Sequence, residues 1–305
     1  MKILVTGGAG FIGSHVQDAF IGEGHDVTVI DNFYTGRKNF IHPDCRFYEV
    51  DICNKEAIFN LFKKEQFDIV NHHAAQMDVR ASVSNPMFDA EINIIGGLNL
   101  LEAALKTGVK QFIFASTGGA IYGEQDYFPA DERHELRPVS PYGIAKLSLE
   151  KYLYYYHKVH GLRYFILRYA NIYGPRQNPH GEAGVVAIFS QKLVKGETPT
   201  INGDGKQTRD FVHVNDVVKA NLSALDYPES MIVNIGTGIE TDINTVFKHL
   251  ALASGNTVAA HRGPAMKGEQ LRSVLDNTLA KEILGWTPKF DIGKGLKHTY
   301  QYFIT

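Results

Sequence analysis

Short apolar runs alternate with longer amphipathic stretches through the first half of this chain, the pattern of βαβ units whose parallel sheet is covered on both faces. Strands are predicted at 2–6, 26–30, 46–50, 68–73, 110–115 and 163–168. A helical pattern follows the first strand, from Ser14 to Phe20. A clearer helix opens near Asn85-Pro86, where proline suits the first turn, and runs to about Lys106 before Gly108 stops it. Another opens at Ser140-Pro141, a serine cap followed by proline, and continues to His160-Gly161. The expected fold class is α/β, a doubly wound parallel sheet of Rossmann type with a smaller C-terminal substrate lobe.

Past Asn171 the texture changes: Tyr173-Gly174-Pro175 opens a Pro/Gly/Asn/His-rich stretch to Gly184 that reads as loop. Beyond it the pattern predicts a helix at 184–195, a strand at 210–214, a helix at 215–226, a strand at 232–235 and helices at 242–254 and 276–284. Residues 1–175 are expected to form a dinucleotide-binding domain and 176–305 mostly a substrate-binding lobe, with 208–240 returning to the first domain.

Composition narrows the function. Hydrophobic residues at 44% and charged residues at 21% are ordinary globular usage. A net charge of −2 with no run of Lys or Arg excludes a nucleic-acid binder driven by electrostatics. The N-terminal apolar stretch, Ile3 to Val5, is too short for a signal-peptide core, and no segment has the length of a membrane span, so a cytoplasmic protein is expected. Cys45 and Cys53 are the only cysteines and are expected to be free thiols. No metal is expected, since the 13 histidines show no zinc spacing. Adjacent His72 and His73 on a strand point to opposite faces and read as structural.

The chemistry starts in the first thirteen residues. The strand Ile3-Leu4-Val5 runs into Gly7-Gly8-Ala9-Gly10-Phe11-Ile12-Gly13, and Gly8-x-Gly10-x-x-Gly13 before a helix is a cradle for a pyrophosphate. The helix N-terminus turns free N–H groups toward the anion. Asp31 closes the second strand about 20 residues on, where a carboxylate accepts hydrogen bonds from an adenosine ribose diol and repels a 2′-phosphate. NAD is therefore expected over NADP, with nearby Arg37 the one contrary feature.

Tyr142-x-x-x-Lys146 puts a phenol and an ammonium one helical turn apart on one face. The cation favours phenolate, so Tyr142 can take a proton from an alcohol as hydride leaves. The spacing recurs at Tyr34/Lys38 and Tyr154/Lys158, so position must choose. Tyr154 faces about 120° away on the same helix, and Tyr34 lies at the adenosine end. Only Tyr142 follows a strand, Lys110 to Ala115, whose carboxyl edge presents hydroxyls, Ser116 and Thr117.

Together with Asp51-Ile52, His73-Ala74-Ala75, Leu167 to Pro175, Arg209 to Val214, Asn234 to Gly238 and Leu284 to Pro288, these segments resemble the extended short-chain dehydrogenase/reductases, and among them the UDP-glucose (UDP-galactose) 4-epimerases. The resemblance implies NAD held by Gly7, Gly10, Phe11, Ile12, Gly13, Asp31, Asn32, Asp51, Ile52, His73, Ala74, Ala75, Asn93, Tyr142, Lys146 and Tyr169. It implies Thr117 as the hydroxyl partner of Tyr142, with Ser116 the alternative because of an extra glycine, and Asn171 and Arg209 on the diphosphate of a UDP-sugar. Ser273 stands where some epimerases hold a bulky tyrosine, which implies room for an N-acetyl group on C2. Relatives that dehydrate or decarboxylate carry an acid just after the Ser/Thr, and Gly118-Gly119 stand there instead. Met266 and Asn202 depart from the family's usual arginine and aromatic. The resemblance further implies a homodimer through the aromatic helix around Tyr152 to Tyr156. Two other readings compete with 4-epimerisation: another nucleotide-sugar modifying enzyme of this class, and a non-catalytic NAD-binding protein.

Overall fold

The computed structural model describes residues 1–180, 184–255, 259–265 and 270–304. In chain order its first half contains β1 (Lys2–Thr6), α1 (Phe11–Gly22), β2 (Asp26–Asp31), β3 (Arg46–Glu49), α2 (Lys55–Glu65), β4 (Ile69–His72), α3 (Val79–Ser84), α4 (Pro86–Ala90), α5 (Gly97–Thr107), β5 (Gln111–Thr117), α6 (Gly118–Ile121) and α7 (Pro141–His160). The second half adds β6 (Arg163–Tyr169), β7 (Asn171–Tyr173), α8 (Val185–Val194), β8 (Thr200–Asn202), β9 (Thr208–His213), α9 (Val214–Leu225), β10 (Met231–Ile235), β11 (Glu240–Asp242), α10 (Ile243–Ser254), β12 (His261–Gly263), α11 (Thr278–Leu284) and α12 (Ile292–Ile304).

Among the described residues, seven strands form one sheet in the order β10-β6-β5-β4-β1-β2-β3, every neighbour parallel. The strands read as continuous apolar runs because both faces are covered. Val16 and Phe20 of α1 with Val217, Ala220 and Ala224 of α9 seal one face. Ile58 and Phe62 of α2, Leu100 and Leu101 of α5, and Leu149 and Leu153 of α7 seal the other. The order turns back between β1 and β4, which opens a crevice at the carboxyl ends of those strands.

Beyond β6 the chain leaves this sheet through β7, which pairs with β9, itself paired with β11. A smaller core of Tyr173, Phe189, Phe211, Val246, Leu250 and Leu296 binds α8, α10 and α12 to these strands. The chain also comes back: α9 packs on α1, and β10 pairs with β6 from Met231↔Phe165 to Ile235↔Tyr169.

The strands of the first half lie where the apolar pattern put them, to within a residue or two. The helix read from 85 to 106 is continuous but carries one π-helical stretch, Glu91–Gly96, between α4 and α5. Gly96 and Gly97 follow from close packing, since added Cβ atoms would meet Ile52 at 2.6 Å and Leu149 at 2.7 Å. The strand read at 210–214 starts at Thr208, and Val214 already opens α9. The pattern gave no notice of α3, α12 or the three-residue strands β7, β8, β11 and β12.

Candidate active site

The turn after β1 is built from positions that tolerate no side chain. Gly7 has φ +67°, and a Cβ there would lie 2.7 Å from the Ala74 nitrogen. At Gly13 it would lie 2.3 Å from the Gly7 carbonyl oxygen. The Gly10 amide donates to Gly7 O at 3.0 Å, and Gly10 caps α1 with no side-chain bond. The first-turn amides of Phe11, Ile12 and Gly13 are thus offered to an anion at the positive end of a helix dipole. Arg37 and Arg176 both line a small cavity against Ala9, Gly10 and Phe11. Sequence reading missed Arg176, which has a φ of +66° and pairs with Asp18 at 2.8 Å.

Asp31 ends β2 and pins this turn: its carboxylate accepts from the Ala9 amide at 3.0 Å and the Phe33 amide at 2.8 Å. Burial raises its pKa, with the two amides opposing. Asn32 donates to Asp51 at 2.9 Å, tying the ends of β2 and β3 together beside buried Ile52. After β4, the Ala74 amide donates to Thr6 Oγ1 at 3.1 Å, holding the His73-Ala74-Ala75 segment against the glycine turn. The two histidines do face opposite ways. His72 Nδ1 meets Thr6 Oγ1 at 2.7 Å and its ring stacks on Phe114, whereas the His73 ring lies parallel to Tyr169 at 6.4 Å. Burial lowers the His73 pKa to about 3, so it is neutral. Asn93 is spent inside the protein: its amide exchanges hydrogen bonds with the Gln76 backbone at 3.0 and 2.8 Å and donates to Asp89 at 3.0 Å. Its side chain braces the loop beyond Ala75 rather than facing an open crevice.

Helix α7 is started by Ser140, whose Oγ accepts from the Gly143 amide at 3.1 Å, and by Pro141 in the first turn. This start places Tyr142, half-buried, at the helix end and Lys146 one turn inside. Lys146 is 4% exposed; its Nζ donates to Ala115 O at 2.9 Å and lies 5.9 Å from the Tyr142 ring centroid. Burial lowers its pKa to about 8, against the charges of Asp89 and Glu150, which raise it. In the other two Tyr-x-x-x-Lys pairs the tyrosines are exposed, Tyr34 at 70% and Tyr154 at 53%.

Ser116 and Thr117 face apart, as neighbours on a strand must. Ser116 Oγ is buried and donates to Glu150 Oε1 at 2.5 Å. Glu150 is gripped by Arg168 at 3.1 and 2.7 Å, and Arg168 donates to the Tyr122 hydroxyl at 3.0 Å, which donates to Asn234 at 2.7 Å. Ser116 is therefore a member of a buried network, with its hydroxyl proton given to Glu150. Thr117 is half-buried at the sheet edge.

On the far side, Asn171 is exposed at the start of β7, and its partner strand β9 carries Arg209. Arg209 Nη1 donates to Thr208 O at 2.7 Å. A Cβ on Gly119 would lie 3.8 Å from Asn171 Oδ1 and 4.0 Å from Thr117 Oγ1, so Asn171 and Thr117 both border the space over Gly119. Ser273 is 3% exposed and its carbonyl accepts from the Asp210 amide at 2.9 Å, so its small side chain sits among protein atoms rather than on an open wall. Asn202 pairs with Gly263 in the β8/β12 ladder. Met266 lies outside the described residues.

The glycine cradle, the acid ending β2 and a tyrosine with a buried lysine thus meet at one sheet edge. A family model described as "NAD dependent epimerase/dehydratase family" matches residues 3–236. The chain belongs to this family. The UDP-glucose 4-epimerase of Thermotoga maritima, solved with UDP-glucose, is 50% identical with a TM-score of 0.98, over 99% of this chain and 98% of that one. The UDP-glucose 4-epimerase of Thermus thermophilus, solved in complex with NAD, is 42% identical with a TM-score of 0.94, over 99% of each. A putative UDP-glucose 4-epimerase of Methanocaldococcus jannaschii is 47% identical over 98% of this chain and 97% of its own length. The NAD dependent epimerase/dehydratase family takes its cofactor as its name says, and the residues here fit it: Gly7 and Gly13 close a turn in which any Cβ would strike backbone, and the turn leaves the first amides of α1 for a phosphate.

Proposed function

We propose that this protein interconverts the 4-epimers of a UDP-hexose, UDP-glucose and UDP-galactose, by transient oxidation at C4. One observation carries the reading: Tyr142 lies over a buried Lys146 at the edge bearing Thr117, and glycines follow where dehydrating relatives would need an acid. A side chain at Gly118 would have to displace the buried Leu275, whose methyl lies 2.5 Å from an added Cβ.

When bound, NAD supplies the acceptor of the C4 hydride and its return to the other face of the 4-keto sugar. Tyr142 takes the 4-hydroxyl proton and later gives it back. Thr117 hydrogen-bonds the same oxygen and orients it. Lys146, cationic below about pH 8, favours the phenolate of Tyr142. Asp31 receives the adenosine ribose, and Asn171 and Arg209 hold the diphosphate, for which a guanidinium is a forked donor.

The test is to offer the purified protein UDP-glucose, UDP-galactose and their N-acetyl forms and follow the product ratio with and without added NAD. Redox-neutral interconversion supports the proposal, and net production or consumption of NADH points to another member of the class. Tyr142→Phe is expected to cost about 10²- to 10⁴-fold in turnover while leaving UDP-sugar binding in place; a variant as fast as the parent would remove Tyr142 from its role.

We also infer a homodimer. Ile144, Tyr152, Tyr155 and Val159 are 40–60% exposed and form one stripe along the outer face of α7. Such a stripe suits pairing with the same helix of a second copy.

A further inference from the structure

Two consecutive glycines follow Thr117, and the structure treats them differently. An added Cβ at Gly118 would lie 2.5 Å from a methyl of the fully buried Leu275, so that side chain would have to shift. An added Cβ at Gly119 would touch only Asn171 Oδ1 at 3.8 Å and Thr117 Oγ1 at 4.0 Å, which is ordinary van der Waals contact. Packing does not require a glycine at this second position, and its φ is not in the left-handed region. The space it leaves open is bounded by the hydroxyl proposed to hold O4 and by an exposed amide of the substrate side.

We propose that Gly119 is a positioning residue that keeps open the volume in which the 4-keto sugar turns over. This rests on the 4-epimerase reading. Oxidation removes a hydride from C4 and a proton from O4, and reduction restores both, so the bonds at C4 balance without another reactant. Inversion requires the ketone to show its second face to a nicotinamide whose own position is set by the glycine cradle. With the diphosphate anchored, the pyranose must rotate, and a rotating ring sweeps more space than a bound one. Leu275 closes the side next to Gly118, so the sweep passes over Gly119.

The experiment compares wild type, Gly119→Ala and Gly119→Val in three measurements: epimer turnover, UDP-glucose affinity by calorimetry, and the near-ultraviolet absorbance of the reduced cofactor on mixing with UDP-glucose. Expected for Gly119→Ala is a loss of at least about tenfold in turnover, a larger loss for Gly119→Val, affinity within about twofold, and undiminished absorbance, because oxidation proceeds while turning fails. Turnover at the parental rate in both variants overturns the inference. So does a turnover loss matched by an equal loss of absorbance or of affinity, which would place the methyl against binding or hydride transfer. Gly119→Ser, of intermediate size, should fall between the two, and serves if Gly119→Val does not fold. A wild type that interconverts no 4-epimers fails the functional reading itself, which is a separate result.

Discussion

Lys146 shows how burial sets chemistry at a single residue. Its ammonium is drawn to a pKa of about 8 by desolvation, and Asp89 and Glu150 resist that pull. The charged form exists below this value and is lost above it. Support for the Tyr142 phenolate, and with it turnover, should therefore decline as pH rises through about 8. Glu150 is already matched by Arg168, whereas one Asp89 oxygen, Oδ2, is buried with no hydrogen-bond partner among the described residues. Asp89→Asn keeps the acceptor for Gln76 and Asn93 but removes the charge. It should move the alkaline limb of the pH profile of kcat down by about one unit, and a limb that stays in place would show that Asp89 exerts no field on the lysine. The Tyr142/Lys146 pair was legible from spacing and position. The choice between Ser116 and Thr117 was not, because alternation separates the two without saying which face holds Glu150, 34 positions later.

Among elements, the tie between α7 and the sheet matters most. Two side chains one turn apart on α7 grip adjacent residues of β5: Lys146 the Ala115 carbonyl and Glu150 the Ser116 hydroxyl. Arg168 of β6 closes the grip. Glu150→Gln would strand the Arg168 charge, 3% exposed, and should cost about 3–5 kcal/mol in denaturant unfolding; a loss under about 1 kcal/mol would mean that the pair is screened in solution. At the other end of the crevice, Gly13→Ala must displace the Gly7 carbonyl, 2.3 Å from the new Cβ. It should weaken NAD binding by at least about tenfold, read by titration, with little change in secondary structure. The glycine turn and the strands around it were legible because βαβ geometry is local and periodic. The strands β7, β8, β11 and β12, of three residues each, are too short to show a period and are defined only by their partners.

For the whole molecule, the aromatic stripe on α7 predicts assembly. Tyr155→Asp should shift the protein from dimer to monomer in sedimentation, because a charge would be buried in the interface; a parent that sediments as a monomer would remove the proposal. The C-terminal segment is tied to α9 and to the end of β9, with Trp286 Nε1 donating to Asp216 O at 2.8 Å and Phe290 stacked on His213 at 4.0 Å. The sequence by itself determined the parallel sheet, the phosphate cradle and the tyrosine with its lysine. The sheet and the cradle are each written in a short span by chirality and glycine geometry, and the tyrosine pair is singled out from two others of the same spacing by its place after a strand. Only the tertiary structure decided that Lys146 is buried beside Asp89, that Ser116 turns inward, that Arg176 joins the cradle, and that Gly119 opens between Thr117 and Asn171. These depend on contacts between residues far apart in the chain, and a contact of that kind leaves no periodic trace in either partner.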